Sequence, residues 1–362
     1  MEKKRVLVLE PNAFHGEVIP GIVFYFQELG YLVDVYVRKP HIEEKLFYNV
    51  EINGKLVEYD IENINKILLE EEIKDYDFLF LTSLEIQKEK QIIRLLDLIN
   101  GSINTKYGIL GIYHTSSFID RFNDYEMAKE GRIFFLSDFQ TNKYKGTSVL
   151  NPHYFGKIER TKLDNDKIKI GVLGNVYNAN KIALALYNLS KKERDKLEIY
   201  HIGKTEKRNL PIWAKKIEYH ILSMFSKKFK GRWLRYSVVE TGRLNFPEMY
   251  RKINEMDYLL AQIDTGNEEG KHYIEVSTSG SKQISLGMCK PLIISEDVGR
   301  IYGFNDKNAI FYQNNQLENA FRKIIKNEIN NEDLIKNLQV LKDRSTNESL
   351  INLEKVIKRI ES

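Results

Sequence analysis

Residues 6–37, VLVLEPNAFHGEVIPGIVFYFQELGYLVDVYV, carry the pattern from which the fold class follows. Residues 6–9 form a continuous apolar run, which is typical of a strand buried on both faces of a parallel sheet. After a loop, apolar residues at positions 22, 23, 26 and 29 recur at helical spacing, and Gly30 ends the helix. A second apolar strand follows at 32–37. This order of strand, helix and strand predicts a βαβ unit with a right-handed crossover.

The alternation continues along the chain and restarts once. Further strands are predicted at 78–81, 108–113 and 133–136, with a helix at 85–99. The polar stretch 151–166 lacks periodicity and is the predicted hinge. Beyond it, strands are predicted at 167–173, 197–202, 258–261 and 291–294, and helices at 179–189, 246–255 and 281–287. We therefore predict an α/β chain with two Rossmann-like, doubly wound domains.

The domain boundaries follow from the hinge and from the C-terminal tail. The first domain is predicted to span 1–155, and the second to span 156–335 with a basic insertion at 204–235. Residues 336–362 have helical periodicity and are longer than the second sheet requires. We predict that this tail packs back toward the first domain.

The composition excludes several classes of protein. Of the 362 residues, 42% are hydrophobic and 29% are charged, with only 7 Pro, so a disordered or collagen-like chain is excluded. The single cysteine, Cys289, excludes an intrachain disulfide, and no Cys/His cluster has the spacing of a zinc site. The net charge of +4 arises from 55 basic and 51 acidic residues, and this near balance predicts no nucleic-acid partner.

No targeting segment or membrane span is predicted. The first apolar run ends at Glu10 and is too short for the core of a signal peptide. No stretch approaches the ~20 consecutive apolar residues that a transmembrane helix needs. The expectation is a cytoplasmic protein, either soluble or attached to a membrane surface.

One loop has the composition of an anion-binding site. Residues 277–282, STSGSK, lead directly into the helix predicted at 281–287. Backbone N–H groups at a helix N-terminus, aided by hydroxyl groups, bind anions such as phosphate. The alternative is an ordinary helix cap with a tight turn, because Ser and Thr cap helices routinely. The loop alone leaves both interpretations open.

Several segments resemble the GT-B glycosyltransferases. In the second domain of that family, a loop and helix that hold the donor phosphates precede a GxPxI strand, and the residues that match this strand are Gly287, Pro291, Leu292, Ile293 and Ile294. Residues 168–174, with Asn175 and Lys181, resemble the strand, glycine turn and lysine that open the second domain. Residues 246–258 resemble a later helix and strand, and residues 1–35 resemble the acceptor-side opening. The tail is similar to the family's returning helix, so the resemblance covers nearly the whole chain.

The resemblance implies two domains that face a central cleft, with a nucleotide-sugar held mainly by the second domain and an acceptor by the first. The implied donor-binding residues are Gly174, Asn175, Lys181, Thr278, Ser279, Gly280, Ser281 and Lys282. No metal or other cofactor is implied, because GT-B enzymes use helix dipoles and basic side chains at the leaving phosphate. The triplet 75–77, DYD, is similar to a metal-binding DxD motif, but it directly precedes a buried strand and is interpreted as a connection.

The sequence departs from the family's pattern at one pair of positions. Retaining members commonly carry two glutamates eight residues apart before the GxP strand, but the corresponding residues are Ile274 and Lys282. A retaining mechanism is therefore not carried over, and a lysine at 282 would offset phosphate charge instead. An inverting transferase needs a general base for the acceptor hydroxyl. The candidates on loops after strands of the first domain are His15, Glu17, His114 and Asp120. Each of these could instead be a structural residue.

The near-neutral net charge hides one strongly basic segment. Residues 204–235 contain ten Lys and Arg and two Glu. Apolar residues at 213, 217, 221, 224 and 225 give this segment an amphipathic helical pattern. A basic amphipathic helix with Trp is typical of binding to an anionic membrane surface. The alternatives are a solvated helix packed on its domain and a nucleic-acid patch, although no recognised nucleic-acid motif accompanies it.

Together these patterns indicate a glycosyltransferase of the GT-B type. It would move a sugar from a nucleotide-sugar donor to a glycan or polyprenyl-linked acceptor in bacterial surface polysaccharide synthesis. One alternative is a nucleotide-sugar 2-epimerase of the same fold, which would isomerise the donor without an acceptor. Another is a non-catalytic partner subunit of a glycosyltransferase complex. Self-association of the chain is left open.

Overall fold

Two compact α/β units make up the chain. The computed structural model describes residues 4–69, 71–88, 91–99, 103–158, 167–174, 179–203, 238–263, 265–266, 268–313 and 316–362. The first unit comprises Met1–Ile158, Lys271–Gly287 and Lys342–Ser362, and the second comprises Glu159–Gly270 and Met288–Leu341. The boundary after residue 158 lies within the predicted hinge. The sequence placed 271–287 in the second domain, whereas the structure groups this segment with the first unit.

A parallel sheet forms the centre of the first unit. Its strands are β1 (Arg5–Leu9), β2 (Leu32–Arg38), β3 (Leu56–Tyr59), β4 (Phe78–Leu81), β7 (Ile109–Ile112), β8 (Ile133–Phe135) and β9 (Ser148–Val149). The spatial order is β3-β2-β1-β4-β7-β8-β9, so the order reverses between β1 and β4. Every residue of β4 and of 6–9 is at most 1% exposed, which explains the continuous apolar runs. The βαβ unit predicted from residues 6–37 is confirmed, because β1 and β2 pair in parallel.

The prediction of a helix at 85–99 is wrong. The structure has an antiparallel hairpin there, formed by β5 (Glu85–Lys88) and β6 (Gln91–Arg94), and only Leu95–Leu98 is helical. Asn12 holds the first hairpin strand in extended form, since its Nδ2 donates to the carbonyl oxygen of Glu85 at 3.0 Å and its Oδ1 accepts from the backbone N of Gln87 at 3.0 Å. These bonds to a distant loop leave no local signal in the sequence.

The triplet at 75–77 connects elements, as the sequence predicted. Tyr76 is 3% exposed, and its hydroxyl donates to Asp34 Oδ2 at 2.6 Å. The Asp34 carboxylate also accepts from Arg5 Nη2 at 2.8 Å and from the backbone N of Lys55 at 2.6 Å. Asp77 accepts a bond from the backbone N of Arg5 at 2.8 Å. Both of these carboxylates therefore brace the strand β1 against its neighbours.

A second parallel sheet forms the centre of the second unit. Its strands are β10 (Ile168–Leu173), β11 (Leu197–Ile202), β12 (Val238–Glu240), β13 (Tyr258–Leu260), β14 (Leu292–Ser295) and β15 (Ala309–Tyr312). Their order, β12-β11-β10-β13-β14-β15, reverses between β10 and β13. The four strands predicted for this half are confirmed, and β12 and β15 are additional.

Helices flank both sheets. Along the chain they are Ile19–Glu28, Lys39–Glu43, Ile64–Leu69, Leu95–Leu98, Phe118–Phe122, Tyr125–Lys129, Asp138–Thr141, Ala179–Tyr187, Lys191–Arg194, Phe246–Asn254, Glu268–Glu275, Gly280–Met288, Glu296–Ile301, Leu317–Ile325 and Asn331–Glu361. The helices predicted at 179–189, 246–255 and 281–287 are confirmed. A capping box begins one of them, because Asn245 and Glu248 each bond the other's backbone N.

The last helix returns to the first unit, as predicted. Ser349 Oγ accepts from the backbone N of Asn151 at 2.9 Å, and Asn352 Nδ2 donates to the carbonyl oxygen of Val149 at 3.0 Å. Near the end of the helix, Glu361 forms an ion pair with Lys4 at 2.6 Å. Neither this helix nor any other in the described ranges is long and apolar enough to cross a bilayer.

Three sequence predictions fall on residues that lie outside those described. They are the basic segment 204–235, the hinge residues 159–166 and the donor candidate Asn175.

Replacing Gly287 with alanine is expected to destabilise the protein. A Cβ at this position would lie 2.3 Å from the carbonyl oxygen of His153 and 2.3 Å from the Phe155 ring. Overpacking of this kind costs about 1–3 kcal/mol. Urea denaturation should show a lower midpoint for Gly287→Ala, with little change for the exposed helical substitution Lys355→Ala. Equal midpoints for the two variants would contradict the prediction.

Candidate functional site

The carboxyl ends of β1, β4 and β7 bring several polar side chains together. In open α/β sheets, ligands bind at this edge, where the strand order reverses. Here the order reverses between β1 and β4. The loops that follow these strands carry six polar residues, which we call the switch-edge site: Glu10, His15, Glu17, Ser83, Glu85 and His114.

Glu10 is fully buried, and its carboxylate joins two loops. It accepts hydrogen bonds from the backbone N of Asn12 at 2.7 Å, from Thr82 Oγ1 at 2.6 Å and from Ser83 Oγ at 2.8 Å. Burial raises the pKa of Glu10, although the charge of His15 and these hydrogen bonds lower it in part. The sequence interpretation missed this residue. Its one signal was a position directly after the apolar run 6–9.

His114 is a buried and neutral imidazole. Its Nε2 lies 3.0 Å from the carbonyl oxygen of Thr82 and 3.2 Å from Ser83 Oγ. Because a carbonyl oxygen only accepts, Nε2 carries the proton and Nδ1 is the basic nitrogen. Burial, together with the charge of His15, lowers the pKa of His114 to about 3. The ring is therefore neutral at physiological pH.

His15 stacks on His114 and pairs with Glu17. The two imidazole centroids are 3.8 Å apart with an interplanar angle of 14°, and His15 Nδ1 lies 4.0 Å from Glu17 Oε1. Burial lowers the pKa of His15, but the hydrogen bond and charge of Glu17 and the charge of Glu10 outweigh it, so the pKa lies above its ordinary value. Burial opposes ionisation of Glu17, but His15 lowers its pKa to about 2. An ionised Glu17 therefore favours the charged form of His15, and this pair lies against the neutral His114 ring.

Glu85 is a second buried carboxyl that the sequence interpretation missed. Its side chain is 6% exposed, and its Oε2 has no hydrogen-bond partner within the described part of the chain. Burial raises the pKa of Glu85 to about 7, with the charge of Glu10 adding to the effect of burial and that of His15 opposing it. This carboxyl therefore titrates near neutral pH.

Asp120 belongs to a different cluster. It accepts hydrogen bonds from Lys143 Nζ at 2.5 Å, Tyr125 Oη at 2.6 Å and Tyr144 Oη at 2.7 Å. These bonds lower its pKa to about 2. Of the four candidate bases, the structure thus brings together His15, Glu17 and His114.

Among the described residues, one group could hold a metal ion: His15, Glu85 and His114. One ring nitrogen or carboxylate oxygen of each lies within 4.8 Å of the others. The stacked rings, however, hold their nitrogen lone pairs in nearly parallel planes. One ring would have to turn before both could bind a single ion in tetrahedral geometry.

The loop at 277–282 lies beside the switch-edge site. Ser277 forms a bridge with Thr115, and its hydroxyl donates to the carbonyl oxygen of His114 at 3.2 Å. The backbone N of Ser116 donates to the carbonyl oxygen of Val276 at 2.8 Å. A Cβ on Gly280 would lie 3.3 Å from Glu17 Oε1. The structure therefore joins the predicted anion loop to the predicted histidines.

Lys282 is directed into the protein. It is 4% exposed, and its ammonium donates to Ser137 Oγ at 2.7 Å and to the carbonyl oxygen of Leu136 at 3.2 Å. Burial lowers the pKa of Lys282 to about 8. The predicted phosphate contact would require these bonds to break.

In the second unit, the glycine turn after β10 is held by a buried histidine. Gly174 has a φ of 102°, which favours glycine, and its carbonyl oxygen lies 2.8 Å from His201 Nε2. Gly203 is required beside it, since a Cβ there would lie 2.4 Å from that oxygen. Lys181 Nζ lies 5.8 Å from the centroid of the Tyr312 ring.

Comparison with solved structures settles the fold. Anabaena HepE, solved in complex with UDP-glucose, aligns with a TM-score of 0.56 and 11% identity, over 97% of this chain and 98% of its own. The chain has the GT-B fold. AviGT4, a glycosyltransferase involved in avilamycin A biosynthesis, gives a TM-score of 0.54 and 11% identity over 99% and 98% of the two chains. A Thermobaculum terrenum O-GlcNAc transferase mutant aligns with a TM-score of 0.53 and 11% identity, over 99% of this chain and 68% of its own. No family model and no curated protein matches the sequence.

The GT-B fold accounts for the two Rossmann-like units and for the returning C-terminal helix. The fold class predicted from the sequence is therefore confirmed. The roles predicted for the individual site residues stay predictions within this GT-B framework.

The Glu17→Gln substitution is expected to lower the pKa of His15. Glu17 stabilises the charged imidazole, so its removal favours the neutral ring. Titration of ¹⁵N-labelled histidine by NMR should show the His15 midpoint at lower pH in this variant. Asp120→Asn is the control and should leave the midpoint unchanged. A His15 midpoint that is the same in Glu17→Gln and in the natural protein would contradict the prediction.

Proposed function

We propose that this chain is a glycosyltransferase that moves a sugar from a nucleotide-sugar donor to a glycan acceptor. The main support is the switch-edge site, where the paired side chains of His15 and Glu17, the neutral His114 and the 277–282 loop lie together at one sheet edge. The fold adds to this, because HepE with the same fold was solved with UDP-glucose and AviGT4 is a glycosyltransferase.

In this proposal the donor phosphates bind the anion loop. The residues that the sequence predicts to bind the donor are Gly174, Asn175, Lys181, Thr278, Ser279, Gly280, Ser281 and Lys282. Of these, Lys282 would first have to release Ser137 and Leu136. Breaking the glycosidic bond places charge on the leaving nucleotide, which fixed N–H groups at a helix N-terminus stabilise. The helix Gly280–Met288 begins within the 277–282 loop. A divalent metal is therefore proposed to be unnecessary, and activity should survive EDTA.

His15 is the proposed general base for the acceptor hydroxyl. It is 30% exposed, whereas His114 is 7% exposed, so of the two rings His15 is the more accessible to an acceptor. Glu17 would orient the ring and stabilise the imidazolium that forms when the hydroxyl proton is taken up. The raised pKa of His15 places the neutral, reactive form at higher pH. Activity should therefore rise with pH through that pKa.

Nucleotide binding provides the first test. A nucleoside diphosphate that binds only the folded protein stabilises it by about 2.7 kcal/mol at 100 times its Kd. Thermal-shift measurements with millimolar UDP, GDP, CDP and TDP should show stabilisation by one of them. The increase in melting temperature should be smaller in Lys181→Ala than in the control Lys191→Ala, which replaces an exposed lysine of the same unit.

Turnover separates this function from its alternatives. Transfer requires an acceptor, so the donor should be consumed faster when a glycan acceptor is present. No shift with any nucleotide would exclude donor binding. An isomerised donor formed without acceptor would show an epimerase instead.

We further propose that the acceptor is lipid-linked and that the protein works at the cytoplasmic membrane face in surface polysaccharide synthesis. The support is the basic amphipathic segment 204–235, with ten Lys and Arg against two Glu. In liposome flotation, the protein should float with anionic vesicles and not with neutral ones, and salt should weaken binding. Replacing Lys215, Lys216, Lys227 and Lys228 with glutamine should abolish flotation. Equal partitioning to both vesicle types would contradict this assignment.

A further inference from the structure

Gln140 is a buried glutamine whose side-chain amide is fully hydrogen-bonded. It lies on the short helix Asp138–Thr141 after β8 and is 1% exposed. Its Nε2 donates to the carbonyl oxygens of His114 at 3.2 Å and Val276 at 2.9 Å. Its Oε1 accepts from the backbone N of Leu136 at 3.2 Å and from Thr278 Oγ1 at 3.1 Å. Both donors and both acceptor positions are therefore used.

The partners of this amide permit only one orientation. Carbonyl oxygens only accept and a backbone N–H only donates, so Nε2 must face His114 and Val276. A flipped amide would place Oε1 against two carbonyl oxygens and Nε2 against the N–H of Leu136. Glutamate is nearly the same size but cannot replace the amide, because its carboxylate has no donor for either carbonyl.

The amide connects the switch-edge site to the anion loop. His114 belongs to the switch-edge site, and Val276 and Thr278 flank the start of the 277–282 loop. Three segments far apart in sequence, at 114, 136 and 276–278, thus meet on one side chain. The carbonyl oxygen of His114 also accepts a hydrogen bond from the loop itself, from Ser277 Oγ at 3.2 Å.

We infer that Gln140 is a positioning residue that fixes the distance between His114 and the 277–282 loop during glycosyl transfer. This inference rests on the proposed function, in which the loop holds the donor phosphates and the general base His15 stacks on His114. A displacement of about 1 Å between such groups can lower the rate about 10²-fold. Losing the amide also removes one of the donors to the carbonyl oxygens of His114 and Val276, which favours such a displacement.

The test compares two buried glutamines. Gln283 is also 1% exposed, lies on the adjoining helix and donates to Asn151 Oδ1 at 3.3 Å, without contacting His114. Gln140→Glu and Gln283→Glu place the same buried charge in the same unit. We expect kcat/KM for the donor to fall about 10²-fold in Gln140→Glu and much less in Gln283→Glu, when both are measured below their melting temperatures. Gln140→Met, which loses the same bonds without adding a charge, should repeat the loss.

A second measurement does not depend on turnover. With ¹⁵N-labelled histidine, the His114 resonances should shift in both Gln140 variants and stay in place in Gln283→Glu. If the natural protein showed no turnover, that result would contradict the proposed function. The NMR spectrum would still report whether Gln140 positions His114. Unchanged His114 resonances in folded Gln140→Met would overturn the inference. Equal losses of kcat/KM in the Gln140 and Gln283 variants would do so as well.

Discussion

The buried carboxylate of Glu10 is the constraint on which the site depends. A buried carboxylate is costly unless hydrogen bonds compensate for its lost hydration. The donors here come from Asn12 on its own loop and from Thr82 and Ser83 after β4. Separating the two loops would remove the Thr82 and Ser83 donors from this buried group. Glu10 thus holds the loops of β1 and β4 together where the strand order reverses, and His15 and His114 meet as a result.

The same cluster gives two neighbouring histidines opposite properties. Carboxylates surround His15 and raise its pKa, whereas burial and the charge of His15 lower the pKa of His114 to about 3. The charged form is therefore favoured in His15, whereas the His114 ring is neutral. Two groups whose environments separate their pKa values are typical of sites that move protons. Glu85, with its pKa raised to about 7, can exchange a proton near neutral pH.

The segment 271–287 shows how much of a site can depend on hydrogen bonds between distant residues. In sequence it lies between the strands β13 and β14 of the second sheet, but it is bonded to the first unit through Ser116 and Gln140. The composition STSGSK indicated an anion loop, and its place beside His114 could not be predicted from the helical pattern that follows. Lys282 illustrates the same point, because the resemblance and the anion loop implied a phosphate ligand, whereas the structure buries its ammonium against Ser137.

Much of the fold was predictable, because a strand buried on both faces leaves an apolar run in its own segment. The runs at 6–9, 78–81 and 168–173 therefore indicated the strands, and their alternation with helices indicated two parallel sheets. Of the site, the sequence predicted His15, Glu17 and His114 from their positions after such strands. It placed Asp120 with them, and it missed Glu10, Glu85 and Gln140.

The amino-acid sequence thus specified the fold class, the two α/β units and the returning C-terminal helix. Each of these elements buries apolar residues at regular spacing, so its pattern can be seen within its own segment. The tertiary structure alone set which polar groups meet, because those contacts join single residues far apart in the chain. The hairpin at 85–94 is extended through bonds from Asn12, and Gln140 connects His114 to Val276. Each such bond depends on one donor and one acceptor, and it leaves no periodic pattern in the sequence around either residue.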